Sequence, residues 1–206
     1  MAEHSYYPLV NIQDRRVVLS VDDFFDLKEL DYIRSCLNTE KPTAAIVGYT
    51  DPKNVEDYEK MVKKAHERRK SNVCFLDFFE YEFFYKKLCT AIHHVNLTNF
   101  NKVLYGIEAL QFAEYDSLYE GFYGVHPDAV NTDNALTRSL SFSMQMSKPE
   151  EYEGGEVLVY DGNTTYTANK KYGSITFFDS RMLHEVTPVT SGFRRSIVGW
   201  ILGPRV

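Results

Sequence analysis

Cysteine is scarce. The 206-residue chain has three, Cys36, Cys74 and Cys89, and none forms a C-x-x-C pair. An odd count without that spacing argues against a disulfide framework and against a thiolate zinc site, and it reads as reduced thiols in a cytoplasmic protein. Positive charge is also short, with 23 Lys and Arg against 29 Asp and Glu and a net charge of −6. A dedicated nucleic-acid binder usually has the opposite balance. No apolar run approaches the ~18–20 residues of a membrane span. The start, Met1-Ala2-Glu3-His4, has no basic segment leading into an apolar one, so no signal peptide is visible. No repeat, low-complexity tract or linker divides the chain. One domain over residues 1–206 is therefore expected, with 1–103 as a mixed support and 104–206 as its β-rich core.

What is abundant is hydrophobic and aromatic. Hydrophobic residues make up 44% of the chain, and 15 Tyr and 14 Phe raise the aromatic share to 15%. That is enough for a core and suits β-rich packing. Val17 to Val21 reads as a strand. Asp26 is placed to cap a helix reaching about Asn38, with Leu27, Leu30, Ile33 and Leu37 on one stripe. Ala44 to Val47 and Asn72 to Leu76 have strand composition. A second helix is expected from about Phe78 to Leu97, with Phe83, Phe84, Leu88, Ala91, Ile92 and Val95 at helical spacing. Between these, Gly48, Asp51-Pro52 and Asn54 mark a turn. The charged run Glu56 to Lys70 that follows reads as a solvated, partly helical surface excursion.

From Leu104 the texture changes to short apolar or alternating runs. Strands are expected at 105–115, 121–128, 138–146, 156–160, 163–168, 174–178, 183–189 and 194–202, with a tight hairpin at Asp161-Gly162-Asn163. Eight strands at this spacing predict a mostly β sandwich or barrel of jelly-roll type, supported by the N-terminal helices.

The chemistry-bearing residues fall in this second half. His126-Pro127-Asp128 places two potential metal ligands two residues apart, hence on one face of a strand. Pro127 predicts that the strand ends or kinks there. His184 is brought alongside by the intervening strands. Two imidazoles and one carboxylate fill one face of an octahedral ion and leave three positions open, a set suited to non-haem Fe(II). Each of His4, His66, His93 and His94 lies outside any ligand pattern and is expected to be an ordinary surface or core histidine.

Ten residues after His184 comes Arg194-Arg195-Ser196. Period two places Arg194, Ser196, Val198 and Trp200 on one face of the last strand, with Arg195, Ile197 and Ile201 on the other. A guanidinium makes paired hydrogen bonds to a carboxylate, and the Ser196 hydroxyl can add a third. Arg194 is thus a candidate clamp for a dicarboxylic keto acid, with Arg195 as its alternative. Tyr115 and Tyr123, just upstream of the ligand strand, are candidates to complete that shell or are packing residues. Gly154-Gly155 forms a hairpin turn or allows a close backbone approach. Arg138 either orients Asp128 or makes a structural ion pair.

These segments, taken together, resemble the Fe(II)/2-oxoglutarate-dependent dioxygenases, and specifically their prolyl 4-hydroxylase-like branch. The likeness runs from Leu110-Gln111-Phe112 and Tyr115 through Gly121-Phe122-Tyr123-Gly124-Val125-His126-Pro127-Asp128. It continues through Arg138-Ser139-Leu140-Ser141, Tyr152-Glu153-Gly154-Gly155-Glu156 and Gly173-Ser174-Ile175-Thr176-Phe177-Phe178. It closes on His184-Glu185-Val186-Thr187-Pro188-Val189 and Gly192-Phe193-Arg194-Arg195-Ser196. It covers roughly residues 105–203, with the motifs in the family's order. The resemblance implies a double-stranded β-helix with Fe(II) on His126, Asp128 and His184. It implies 2-oxoglutarate anchored by Arg194, and a supporting tyrosine at Tyr115. In related chains the region of Arg69 and Ser71 flanks the mouth of the site, so the resemblance makes residues 48–72 a candidate lid, with a solvated charged loop as the alternative. Many members carry lysine at the clamp position, so arginine here weakens any expectation of collagen-type specificity. The activity implied is hydroxylation of a C–H bond, of a prolyl or other side chain in a peptide or protein. O₂ is consumed, succinate and CO₂ are released, and ascorbate belongs to the cofactors the family uses. The alternatives are oxidative demethylation of an alkylated nucleobase, supported by the basic cluster Lys63 to Lys70, a catalytically silent binding module, and a zinc hydrolase. The last would leave the arginine unexplained.

Overall fold

The computed structural model of the chain describes residues 17–45, 55–130 and 136–205. His4, the turn residues Gly48, Asp51, Pro52 and Asn54, and the end of the strand expected at 44–47 lie outside them.

The N-terminal part is held together by its helices. Strand β1 (Val18–Val21) leads into α1 (Leu27–Leu37), whose first turn is closed by a reciprocal cap. Asp26 Oδ1 accepts from Glu29 N, and Glu29 Oε2 accepts from Asp26 N. After β2 (Thr43–Ala44) come α2 (Val55–His66), β3 (Arg69–Lys70), β4 (Asn72–Phe75) and α3 (Glu82–Val95). Helix α3 starts four residues later than its apolar spacing predicts. Asp77 Oδ1 accepts from Phe79 N and Glu80 N, which fixes a turn over 78–81 and delays the helix. The charged run expected to be a solvated excursion is mostly helix. It ends in a strand pair that enters the core structure, because β3 and β4 join two different sheets.

The remainder is antiparallel β: β5 (Gly106–Ile107), β6 (Gln111–Asp116), β7 (Phe122–His126), β8 (Leu136–Gln145), β9 (Tyr152–Gly154), β10 (Val157–Asp161), β11 (Thr164–Thr167), β12 (Ile175–Asp179), β13 (Leu183–Val186) and β14 (Val189–Pro204). The run 105–115 is two strands rather than one, and β14 begins earlier than 194. Its first residues pair with β9 and its remainder with β8 and β6. The large sheet runs β1-β12-β8-β14-β6-β4-β2, and the small one β11-β10-β13-β7-β3. The expected hairpin joins β10 to β11, with Asp161 opposite Thr164.

Alternation decides what each face of the large sheet buries. Phe112 on β6, Leu140, Phe142 and Met144 on β8, Phe177 on β12 and Ile197 and Ile201 on β14 point outward. They pack against Leu30, Ile33 and Leu37 of α1 and Phe84, Leu88, Ala91, Ile92 and Val95 of α3. This is the main core, and it explains why the helices sit on one face only. The inner face contributes Ala113, Tyr115 and Phe178 to a smaller cluster shared with Val157, Val159 and Val186 of the small sheet. Between the two sheets the packing is therefore incomplete, and a cavity remains.

One exposed connection makes acid stability testable. Glu156 lies just before β10. Its carboxylate accepts from Lys170 Nζ (2.6 Å) and Thr187 Oγ1 (2.7 Å), tying together three segments around the small sheet. Lys170 and Thr187 lower its pKa to about 2 against the opposing effect of partial burial. A carboxyl depressed on folding adds stability above its unfolded value, and this is lost as pH falls from about 4.5 towards about 2. Glu156→Gln should flatten that limb of a melting-temperature–pH profile and change little at pH 7. The effect is small because the pair is about one-third exposed.

Candidate metal centre

The ligand-type side chains meet where β7 and β13 pair. His126 is the last residue of β7 and lies directly opposite His184 of β13. Pro127 ends the strand. Beyond it the chain is pinned by Asp128 N and Ala129 N, which both donate to the Ser180 carbonyl (2.9 and 2.8 Å). Asp128 thus leaves the ladder but is still held beside the two imidazoles. Its carboxylate oxygens lie 3.6 Å from His126 Nε2 and 3.4 Å from His184 Nε2.

Both rings are oriented from behind. His126 Nδ1 is 2.8 Å from the Gly124 carbonyl, and His184 Nδ1 is 3.0 Å from the Met182 carbonyl. Nδ1 must donate to a carbonyl, so each Nε2 is left with its lone pair facing the cavity. Asp128 is 8% exposed. Burial would raise its pKa, but the neighbouring His126 and His184 and the Ser141 hydroxyl outweigh this and bring it to about 2. Burial depresses His184, against the pull of Asp128. The result is one anionic oxygen donor and two nitrogen donors aimed at one point.

A divalent first-row ion fits this set. Metal–donor bonds of about 2.0–2.2 Å place neighbouring ligands near the separations seen here. Among the described residues the cluster holds these three donors and no fourth His, Cys, Asp or Glu. A structural zinc site would be closed by a fourth. Three donors on one face leave room for exogenous ligands, as Fe(II) oxygen chemistry requires.

The cavity in front of the cluster encloses about 500 Å³. Its far wall is the inner face of β14, where Arg194, Ser196, Val198 and Trp200 all line it, as period two requires. Arg194 is 2% exposed. Its Nη1 donates to Ser196 Oγ at 3.3 Å, and its guanidinium carbon lies 5.4 Å from the centre of the buried Tyr115 ring. Among the described residues no carboxylate pairs with it. Arg195 points the other way, to Glu114 Oε1 (3.0 Å) and Asn38 Oδ1 (2.8 Å). Tyr123 stacks on His126, with ring centres 3.6 Å apart and planes 16° from parallel.

Gly154 and Gly155 are more than a turn. Both have positive φ (+73° and +61°). A Cβ at Gly154 would come 2.2 Å from the Pro188 carbonyl oxygen, and one at Gly155 would meet Arg194 Cδ at 2.9 Å. The pair lets β9 lie against β14 beside the buried arginine. Arg138 does not touch Asp128. It makes a paired ion contact with Glu108 (2.6 Å) and lies over the Trp200 ring.

The segment read as a solvated charged loop or a lid supplies one wall residue. Arg69 is 7% exposed and faces the same cavity. Its Nε donates to Ser71 Oγ (2.7 Å), its Nη2 to Gln111 Oε1 (2.9 Å), and its guanidinium lies 4.5 Å over the Tyr123 ring. The signal was present as a second Arg-x-Ser unit, Arg69-Lys70-Ser71, matching Arg194-Arg195-Ser196 in form. Surrounded by Lys63, Lys64, Arg68 and Lys70, it was indistinguishable from surface charge.

The chain is thus a two-sheet jelly roll with two imidazoles on paired strands, a carboxylate just beyond one of them and an inward arginine on the last strand. The family described as the 2OG-Fe(II) oxygenase superfamily matches residues 110–202, a little under half of the chain. Curated relatives include a "PKHD-type hydroxylase" of Parvibaculum lavamentivorans, 40% identical over 79 residues, or 38% of this chain and 36% of the relative. Another, from Crocosphaera subtropica, is 36% identical over 104 residues, covering 46% and 43%. The matched stretch thus spans about two-fifths of the length of these relatives. Among solved structures, a Pseudomonas putida prolyl-4-hydroxylase superposes with a TM-score of 0.62 at 16% identity, over 91% of this chain and 92% of that one. A viral collagen prolyl hydroxylase from Paramecium Bursaria Chlorella virus-1, in its 2OG complex, superposes with a TM-score of 0.65 at 20% identity, over 93% and 99%. The fold is the one these enzymes share.

Proposed function

We propose that the protein is an Fe(II)- and 2-oxoglutarate-dependent dioxygenase that hydroxylates a prolyl or other side chain of a peptide or protein. The observation that carries this reading is the cavity itself. One end presents His126, Asp128 and His184, and its β14 wall presents a buried cation that pairs with no carboxylate among the described residues. A diacid co-substrate completes both.

In this reading His126, Asp128 and His184 hold Fe(II), and Arg194 with Ser196 holds the distal carboxylate of 2-oxoglutarate. Tyr115 forms one flank of that carboxylate site, and Tyr123 keeps the His126 ring in plane by stacking. Fe(II) held there would supply activation of O₂, the oxidant: one oxygen atom goes to 2-oxoglutarate, which leaves as succinate and CO₂, and the other to the substrate C–H bond. The protein's part is positioning and exclusion of water. The Gly124 and Met182 carbonyls fix both imidazoles in the tautomer that ligates, and Ser180 holds the Asp128 backbone. The buried walls keep the Arg194 charge unscreened, which strengthens its grip on an anion. Phe75, Val130 and Trp200 add apolar surface to the cavity, which suits a side chain presented on a peptide. The helices and the β-rich part are read as one functional unit, a reading supported by β2 and β4, which extend the large sheet. Cys36, Cys74 and Cys89 are all free thiols, which fits a cytoplasmic location. Among the described residues no helix is long and apolar enough to cross a membrane.

Anaerobic addition of Fe(II) and 2-oxoglutarate should produce a weak visible charge-transfer band. Oxygen should then yield succinate, with proline-containing peptides raising the rate and methylated oligonucleotides leaving it unchanged. A folded protein without the band would defeat the reading. Stimulation by the oligonucleotides instead would reassign the substrate to nucleobases.

A further inference from the structure

We propose that Arg69 makes this cavity selective for a substrate that carries a carboxylate close to the carbon to be hydroxylated. The inference rests on the dioxygenase reading above and deepens it.

Two buried guanidiniums face one cavity. If 2-oxoglutarate occupies Arg194, its two carboxylates are accounted for by Arg194 and the metal, and Arg69 is left over. Arg69 sits on β3, at the edge of the small sheet, opposite Tyr123 of β7. Its side chain is built in rather than draped. Ser71 and Gln111, themselves 2% and 6% exposed, take its Nε and one Nη2 proton, and the Tyr123 ring supports its plane. Of the five N–H groups of a guanidinium, three remain. No carboxylate of the described residues pairs with them. Burying a cation without an anion is costly, and here its only fixed partners are neutral. Such a side chain suits an anion that arrives with a ligand.

The two cations are held by different partners. Arg69 rests on Ser71 and Gln111, and Arg194 on Ser196. With the diacid held by the metal and Arg194, Arg69 is available to a second anion. Arg69 lies one aromatic ring away from the ligand His126, through Tyr123. A carboxylate bound there would hold a neighbouring C–H before the open face of the metal. The carboxylate could be a free α-carboxylate, a peptide C-terminus or an acidic side chain beside an internal proline.

The test uses the full chain loaded with Mn(II) and 2-oxoglutarate, and measures binding by calorimetry. Three matched pairs distinguish the sources: L-proline against L-prolinamide, a peptide ending in proline against its C-terminal amide, and a peptide with Glu beside an internal proline against its Gln counterpart. At least one carboxylate probe should bind tenfold or more tightly than its neutral partner. Arg69→Gln should bring that ratio to about one while leaving 2-oxoglutarate affinity within twofold, and Arg69→Lys should keep part of the preference. If no pair shows a preference in the wild type, including by showing no binding at millimolar concentration, the inference is wrong. That comparison decides even if Arg69→Gln does not fold. A tenfold loss of 2-oxoglutarate affinity in Arg69→Gln would overturn it too, by making Arg69 part of the co-substrate clamp. Absence of the Fe(II)–2-oxoglutarate band in the wild type would bring down the dioxygenase reading and this inference together. A normal band with no carboxylate preference removes this inference alone.

Discussion

Replacing His184 with alanine is expected to abolish the Fe(II)–2-oxoglutarate band and lower succinate formation by about a hundredfold or more. Losing a group that merely orients a ligand typically costs 10–100-fold, and losing a ligand costs at least as much. His184 is nearly buried, its Nδ1 is anchored on the Met182 carbonyl, and its Nε2 is 3.4 Å from Asp128. With it gone, only His126 and Asp128 remain at the centre. No other donor among the described residues stands ready to replace it. The substitution also removes a ring packed 4.6 Å from that of Phe178. Some loss of stability should therefore accompany it, and His184→Gln, closer in volume, is the companion variant. Both are checked by circular dichroism before anaerobic titration. A folded His184→Ala protein with a normal band would remove His184 from the metal.

Arg194→Met is expected to weaken 2-oxoglutarate binding by about a hundredfold or more, with Fe(II) affinity changed far less. Removing one partner of a buried, hydrogen-bonded charge pair costs roughly 2–5 kcal/mol, and each 1.4 kcal/mol is about tenfold. The same geometry predicts an unusual stability effect. Without co-substrate, Arg194 is a buried cation with only a long hydrogen bond to Ser196. An apolar side chain of similar length should leave the ligand-free protein as stable as the wild type or more so. What disappears is the rise in melting temperature that 2-oxoglutarate gives the wild type. Arg195→Met is the control. Its guanidinium lies on the outer face with Glu114 and Asn38, so co-substrate affinity should stay within twofold while stability falls. The opposite ranking, with Arg195 governing affinity, would show that the clamp is on the other face.

Much of this arrangement was legible because strands obey a strict period. Alternation along 194–200 sorted Arg194 and Ser196 from Arg195 without any knowledge of the fold, and the inner and outer faces of β14 follow it residue by residue. Asp26 as the cap and the stripe of Leu27, Leu30, Ile33 and Leu37 marked α1 equally well, since both are local, although Leu27, in the first turn, is exposed. Boundaries set by less obvious contacts were harder. The start of α3 depended on one Asp77 hydrogen-bonded turn, and the division of 105–115 depended on β5 and β6 both pairing with β14 at different points.

Charge was the least readable property. Arg69 and Arg68 are neighbours in a basic run, yet one is buried on Tyr123 and the other exposed. Arg138 could be imagined beside Asp128, yet Glu108 takes it. Which cation finds a carboxylate and which is left to await one depends on residues tens of positions away.

By itself the sequence determined the kind of site: two histidines and an aspartate at spacings that suit facing strands, and an arginine on the inward face of the last one. Those follow from side-chain chemistry and a period of two, which are local. Tertiary structure alone decided that a second arginine from the N-terminal half closes the same cavity. Burial and charge pairing are set by strand order, and strand order brings together segments that no local pattern connects.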